Sequence, residues 1–194
     1  MWRQILPGLR INLFATIVFG IVYPLAITGI CQVLFPHQAN GSLIVSGGHV
    51  IGSDLIGQNF TRPEYFQPRP SAAGNDGYDA ANSGGSNYGP TNQKLIDRVK
   101  ASIDAFRKSN PDYHGPIPAD LATASASGLD PDISPASAMA QAARIAKARG
   151  ISLDQVESLI AQRTQGPDLG LLGEPRVNVL AINLALDRYF PKRR

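Results

Sequence analysis

Ser83-Gly84-Gly85-Ser86-Asn87 is the run whose residue types best suit a ligand. Its glycines bare their backbone N–H groups ahead of a predicted helix, and helix starts attract anions, so the run could cradle a phosphate. It lacks the Lys-[Ser/Thr] ending of a P-loop, and Pro90 removes one donor before the helix, so a tight turn accounts for the same residues. Asn75, Asp76 and Asp79, with Glu64, offer oxygens to a hard cation such as calcium. The twelve-residue EF-hand spacing is absent, and Asx-turns use the same side chains. His37, His49 and His114 are scattered, without an HExxH or a close pair, and the single Cys31 allows neither an internal disulfide nor a Cys quartet for zinc. No metal site and no catalytic residue can be nominated. Glu174-Pro175-Arg176 reads as a structural acid–base pair at a helix start, and Asn178 and Asn183 as amides that satisfy buried backbone.

The elements that must position these residues begin with an apolar one. The chain has 194 residues, enough for one domain and an appendage. From Ile11 to Phe35 there is no charged side chain, a run of about 25 residues that would extend about 38 Å as a helix and cross a bilayer with some tilt. Arg3 and Arg10 precede it, and the next formal charge is Asp54. The positive-inside bias therefore predicts residues 1–10 in the cytoplasm, 11–35 in the membrane and 36–194 outside it. Ala39-Asn40-Gly41 would pass as a signal-peptidase site, but a cleaved signal has an apolar region of only about 7–15 residues, which favours a retained anchor. Bulky Ile30 before Cys31 argues against a lipoprotein, leaving Cys31 as a small packing side chain. Thr16, Gly20, Pro24 and Thr28 recur every four residues as a narrow strip against which another membrane helix could pack.

Beyond the anchor the charge nearly balances: removing Arg3 and Arg10 from 18 Lys and Arg leaves 16 against 15 Asp and Glu. Lys192-Arg193-Arg194 reads as a solvated basic tip, and without a basic stripe interleaved with aromatics, nucleic acid is not an expected partner. Leu43-Ile44-Val45 and His49-Val50-Ile51 flank a Ser46-Gly47-Gly48 turn and predict a hairpin. Arg62 to Pro90 has the composition of a loop, yet Tyr65, Phe66, Tyr78 and Tyr88 give it apolar anchors, predicting an ordered, packed segment. Helices are predicted from a Thr91 cap to about Lys108, from Ser134-Pro135 to Arg149 with Gly150 as stop, from a Ser152/Gln155 capping box to before Gly166-Pro167, and from about Arg176 to Arg188. On the first of these Leu95, Val99, Ile103 and Phe106 mark one face, and on the last Val177, Leu180 and Leu184 point inward. Two or three strands and four helices without βαβ alternation predict an α+β domain behind a single N-terminal span.

Several blocks then resemble one family. They are Leu55-Ile56-Gly57-Gln58-Asn59-Phe60, Tyr65-Phe66-Gln67-Pro68-Arg69-Pro70-Ser71, Ser83-Gly84-Gly85-Ser86-Asn87-Tyr88-Gly89-Pro90-Thr91-Asn92, Pro118-Ala119-Asp120-Leu121 through Leu129-Asp130-Pro131, and Leu172-Gly173-Glu174-Pro175-Arg176-Val177-Asn178-Val179-Leu180. Taken in order with the N-terminal span, they resemble the C subunit of the bacterial high-affinity, Kdp-type potassium-transporting ATPase along essentially the whole chain. Tyr88 stands where that family usually has Leu, Ala126 where Gly is common, and Asp132 where His is usual.

The resemblance implies a single-pass protein of the inner (plasma) membrane with three partners: a channel-like potassium-translocating subunit, a P-type catalytic subunit that hydrolyses ATP, and a further small membrane subunit. ATP and potassium are then handled by the complex, with no cofactor expected on this chain. The sequence has neither an Asp-Lys-Thr-Gly-Thr phosphorylation motif nor a Thr-Val-Gly-Tyr-Gly filter, which agrees with an accessory subunit. Two roles remain open. One is a non-catalytic subunit needed for assembly and stability, modulating ion access or the pump's ATP affinity. The other, also implied by the resemblance, is a nucleotide-binding catalytic chaperone that raises the ATP affinity of the catalytic subunit through Ser83, Gly84, Gly85, Ser86 and Asn87. A free-standing anchored ligand-binding protein is a third, which predicts a monomer without partners.

Overall fold

The computed structural model describes residues 2–191, so the basic tip at 192–194 lies outside the described residues. It divides into two compact units, one up to Ile51 and one from Gly52 onward.

The first unit is dominated by a helix long and apolar enough to cross a membrane, Arg3–Leu34, none of it buried within the chain. It runs as α1 (Trp2–Ile17), a π-helical turn (Val18–Val22) and α2 (Tyr23–Leu34). Pro24 explains the π turn. It has no N–H for the Gly20 carbonyl, and its ring crowds that carbonyl. The helix widens so that the Tyr23 N–H reaches back five residues to Val18 O. A short α3 (Pro36–Ala39) and a hairpin of β1 (Leu43–Ser46) and β2 (His49–Ser53) follow. Gly47 and Gly48 both take positive φ, 58° and 83°, the backbone of a two-residue turn whose twist suits paired strands.

The second unit is the α+β body. Its elements are α4 (Gln93–Ser109), α5 (Ala119–Ala122), β3 (Asp132–Ile133), α6 (Pro135–Arg149), α7 (Leu153–Arg163), β4 (Thr164–Gln165), β5 (Arg176–Asn178) and α8 (Val179–Tyr189). The starts of the helices follow from local chemistry. Ser134 accepts from the Ser137 N–H ahead of Pro135, Gly150 closes α6 at φ 67°, Ser152 and Gln155 make the reciprocal capping box of α7, and Asn178 accepts from the Ala181 N–H to start α8. Two boundaries differ from the sequence expectation. Asn92 rather than Thr91 caps α4. Arg176–Asn178 is a strand, not the first turn of the last helix, because Val177 is the buried centre of an antiparallel sheet ordered β3-β5-β4, opposite Ile133 on one side and Thr164 on the other.

The main core packs α6, α7 and α8 on that sheet through Ile145, Val156, Ile160, Val177, Ile182 and Leu186. Leu184, expected to point inward, is only half-buried, and on α4 only Phe106 is fully buried, in a smaller cluster with Leu121 and Ala140. One core member comes from neither helix nor strand. Phe66 is wholly buried, although it sits in the irregular 62–90 segment.

Burying Phe66 drags its backbone out of water, where an unpaired N–H or C=O is costly. Side-chain amides take the place of a neighbouring strand. The Phe66 N–H donates to Asn183 Oδ1 (2.8 Å), and Asn183 Nδ2 donates back to Phe66 O (2.9 Å). Gln141 repeats the pattern one residue on, accepting from the Gln67 N–H (2.8 Å) and donating to Gln67 O (3.1 Å). Arg144 donates to Pro63 O and Tyr65 O, and Arg149 to Glu64 O. An Asn183→Ala substitution is therefore expected to lower the unfolding free energy of the detergent-solubilised full chain in urea by roughly 2–4 kcal/mol, since two buried backbone groups lose their partners. A loss below about 0.5 kcal/mol would mean that water or a shifted side chain replaces the amide without cost.

Candidate functional site

The body's polar side chains concentrate around the stitched segment and a cleft of ≈550 Å³ beside it, walled by Phe60, Gln67, Arg69, Tyr78, Ser102 and Phe106 among others. α6 supplies its polar set on one face, because Ser137, Gln141 and Arg144 recur at helical spacing among alanines. All three are buried. Gln141 Oε1 also accepts from Arg144 Nη2 (2.7 Å), while Arg144 Nε donates to Asn110 Oδ1 (2.9 Å). Burial lowers the Arg144 pKa to about 10, which still leaves it a cation at neutral pH. Asp120 of α5 accepts from the Ser134 N–H (2.8 Å) and from the Ser137 hydroxyl (2.6 Å), tying α5 to the cap of α6.

Arg69 brings a cation to the cleft. Its Nη1 pairs with Asp130 at 2.7 Å, while its buried Nε has no hydrogen-bond partner. The Tyr78 hydroxyl donates to Arg69 O (2.8 Å), and burial together with the Asp130 carboxylate raises that phenol's pKa well above the ordinary tyrosine range. Ser71 is spent on the turn, its hydroxyl donating to Gly128 O and accepting from the N–H groups of Ala73 and Tyr78. Among the described residues Asp76 is the one carboxylate lining the cleft, and no His, Cys or Lys lines it. This arrangement offers hydrogen bonds, one ion-paired cation and one carboxylate, which can position a chain or a small polar group.

The residues read from the sequence as candidates fall elsewhere. Ser83, Gly84, Gly85, Ser86 and Asn87 run alongside 126–128: the Gly84 N–H donates to Ser127 O (2.8 Å) and the Ser83 hydroxyl donates to the same carbonyl (3.0 Å). α4 begins only at Gln93, with Tyr88 to Asn92 in between, and none of the five lines the Arg69 cleft. Of the oxygens considered for a cation, Asp79 forms an Asx-turn. Its Oδ2 accepts from Asn82 and its Oδ1 from the Ala81 N–H, which together hold its carboxyl below the usual range. Among the described residues no three His, Cys, Asp or Glu side chains converge. His37, His49 and His114 are exposed. Asn178 and Asn183 do satisfy backbone, Asn178 Nδ2 also donating to Asp54 O (3.0 Å). Arg176 pairs not with Glu174 but with Asp168 (3.3 Å), in the turn that joins β4 to β5, and with Asp132 (3.5 Å), on β3 beside β5. Burial and nearby Asp130 raise the Asp132 pKa, against the pull of Arg176. Tyr88, expected as an apolar anchor, is exposed with Arg98 stacked 5.5 Å from its ring centroid.

On the span, Thr16, Gly20, Pro24 and Thr28 are all exposed. At about 100° per residue a plain α-helix would rotate Thr28 about 120° away from Thr16. The π turn takes up one residue of that phase and leaves the two about 20° apart, so the strip runs nearly straight. The Thr28 hydroxyl donates to Pro24 O (2.8 Å), satisfying both groups within the helix.

One helix long and apolar enough to cross a membrane, followed by an α+β body, is the architecture defined by the described residues. Residues 5–188 match the family described as K+-transporting ATPase, c chain (KdpC). Proteins named Potassium-transporting ATPase KdpC subunit are similar along nearly their whole length. The one from Rhodospirillum rubrum is 59% identical over 98% of both chains, that from Myxococcus xanthus 54% over 98% of this chain and 90% of its own, and that from Beijerinckia indica 54% over 100% and 98%. The chain belongs to the KdpC family, subunits of a potassium-transporting ATPase.

The two adjacent glycines separate packing from ligand binding. A Cβ at Gly85 would stand 2.7 Å from Ala126 O, whereas one at Gly84 would meet nothing within 4 Å. Gly85→Ala is expected to destabilise the chain by about 1–3 kcal/mol and Gly84→Ala by less than about 0.5 kcal/mol in chemical denaturation. Equal effects would show that Gly85 is not selected by its contact with Ala126.

Proposed function

We propose that this chain is a non-catalytic accessory subunit that holds the potassium pump together. Its span packs in the membrane against the channel-like potassium-translocating subunit through Thr16, Gly20, Pro24 and Thr28. Its body lies on the extracytoplasmic side beside the ion entrance, stabilising that subunit and shaping access. The P-type catalytic subunit and the small membrane subunit complete the complex, and any influence on ATP affinity travels through the assembly as a coupling between sites.

The observation that carries this reading is where the body's polar chemistry is spent. Asn183, Gln141, Arg144, Arg149 and Asp120 all hold backbone or helix caps. The Gly84 N–H, one of the donors a phosphate could use in the glycine-rich loop, is taken by Ser127 O. The straight strip on the span supports the membrane half of the proposal, since small residues let helix backbones approach closely in lipid.

Replacing Gly20 and Thr28 together by Leu is expected to reduce copurification of the potassium-translocating subunit roughly tenfold, as loss of one or two close helix contacts would. The mutant helix would still insert. Unchanged yield and transport would rule out packing through this strip, and micromolar nucleotide binding by the solubilised chain would favour the catalytic-chaperone role instead.

A further inference from the structure

The turn between β4 and β5 presents apolar side chains to solvent with unusual firmness. Leu169, Leu171 and Leu172 are 91%, 87% and 62% exposed, the first two more than any other large apolar residue of the body. The turn is well held. Asp168 and Leu172 exchange two backbone hydrogen bonds, from the Asp168 N–H to Leu172 O (2.8 Å) and from the Leu172 N–H to Asp168 O (2.9 Å). The Gly170 N–H donates to Pro167 O, and Arg176 ties Asp168 to Asp132 across the sheet. Leu169 sits at φ +55°, a left-handed backbone that suits Asn or Gly and strains a branched side chain. A strained, ordered turn that holds out three leucines gains nothing within its own chain from either feature, and such strain gathers where a partner binds.

Charge decides what kind of partner. The exposed carboxylates of Asp168 and Glu174 flank the leucines, and Arg176 at the base is already paired with two aspartates. Segments that dip into a membrane surface carry Lys, Arg, Trp or Tyr among their apolar residues, and anionic lipid repels carboxylates. This tip has none of those four residue types between Gly166 and Pro175.

We infer that Leu169, Leu171 and Leu172 form a preorganised knob that docks into an apolar pocket edged with Lys or Arg on another subunit of the potassium pump. The inference rests on the proposed accessory role and names the contact through which the body engages its partner. A knob already in its bound shape loses little ordering entropy on docking, which lets a short turn act as an anchor.

The test places a photo-crosslinking benzoylphenylalanine at Leu171 in the full chain, coexpressed with the other pump subunits, and irradiates the membranes. The expected product is a covalent adduct with another pump subunit. Adducts only with lipid, only with a second copy of this chain, or none at all would overturn the inference. In parallel, Leu171→Asp should reduce copurification of the pump at least about tenfold while leaving the chain's own thermal midpoint in detergent unchanged, because the side chain is almost wholly in solvent. Unchanged copurification would likewise overturn it. The parent chain separates the two proposals: if it copurifies with the pump and the substitution has no effect, the knob alone fails. If the parent does not copurify, the accessory role fails with it.

Discussion

Two side-chain amides standing in for a missing β-strand are the interaction on which the body depends. The 63–67 segment must enter the core to deliver Phe66, but among the described residues no strand pairs with its backbone. Asn183 of α8 and Gln141 of α6 each present a donor and an acceptor in the spacing of a peptide group, and they pair with consecutive residues of the segment. Arg144 and Arg149 cover the carbonyls just before it. Each amide is almost wholly buried and fully engaged, so neither could be lost without stranding backbone. The same bonds clamp α6 and α8 to the loop and thereby fix one wall of the Arg69 cleft.

This stitching also explains why polar residues that look like binding groups in the sequence have structural work. The run Tyr65-Phe66-Gln67-Pro68-Arg69-Pro70-Ser71 reads by composition as part of an ordered loop with apolar anchors. In the fold it is a core segment with its aromatic turned inward and its serine holding a turn. Blocks that carry the family resemblance contain the stitched segment and the glycine loop against 126–128, which lie outside regular secondary structure, and also the Asp120 clamp on α5 and the strand that leads into α8.

Much of the fold was legible where the cause is local. Ser134-Pro135, Gly150, the Ser152/Gln155 box and the Gly47-Gly48 turn each set their element through neighbours within a few residues. The small sheet was not legible, because strands of two or three residues carry no periodicity, and Arg176–Asn178 continues without a break into the apolar pattern of α8. The partners of Arg176 were missed for a related reason: Asp132 reaches it through the pairing of β3 with β5, and Asp168 through the fold-back of the β4–β5 turn. A signal for the stitching did exist, since Ser137, Gln141 and Arg144 lie on one face of a helix otherwise rich in alanine, but pattern alone does not reveal that the face is buried. The exposed leucines of the β4–β5 turn were equally hidden, because an apolar residue in a sequence is by default expected inside.

The functional account follows from the same economy. Asn183, Gln141, Arg144, Arg149 and Asp120 hold the chain's own backbone, and its family places it in a potassium-transporting ATPase. Contact outside the cytoplasm is then its proposed contribution, and sidedness is the claim on which the account stands. A Lys108→Cys variant in a Cys31→Ser background, exposed to a membrane-impermeant maleimide in spheroplasts, tests it directly, since Lys108 lies on the exposed part of α4. The account predicts labelling from outside the intact cell membrane. Labelling only after the membrane is inverted or permeabilised would put the body in the cytosol and contradict it.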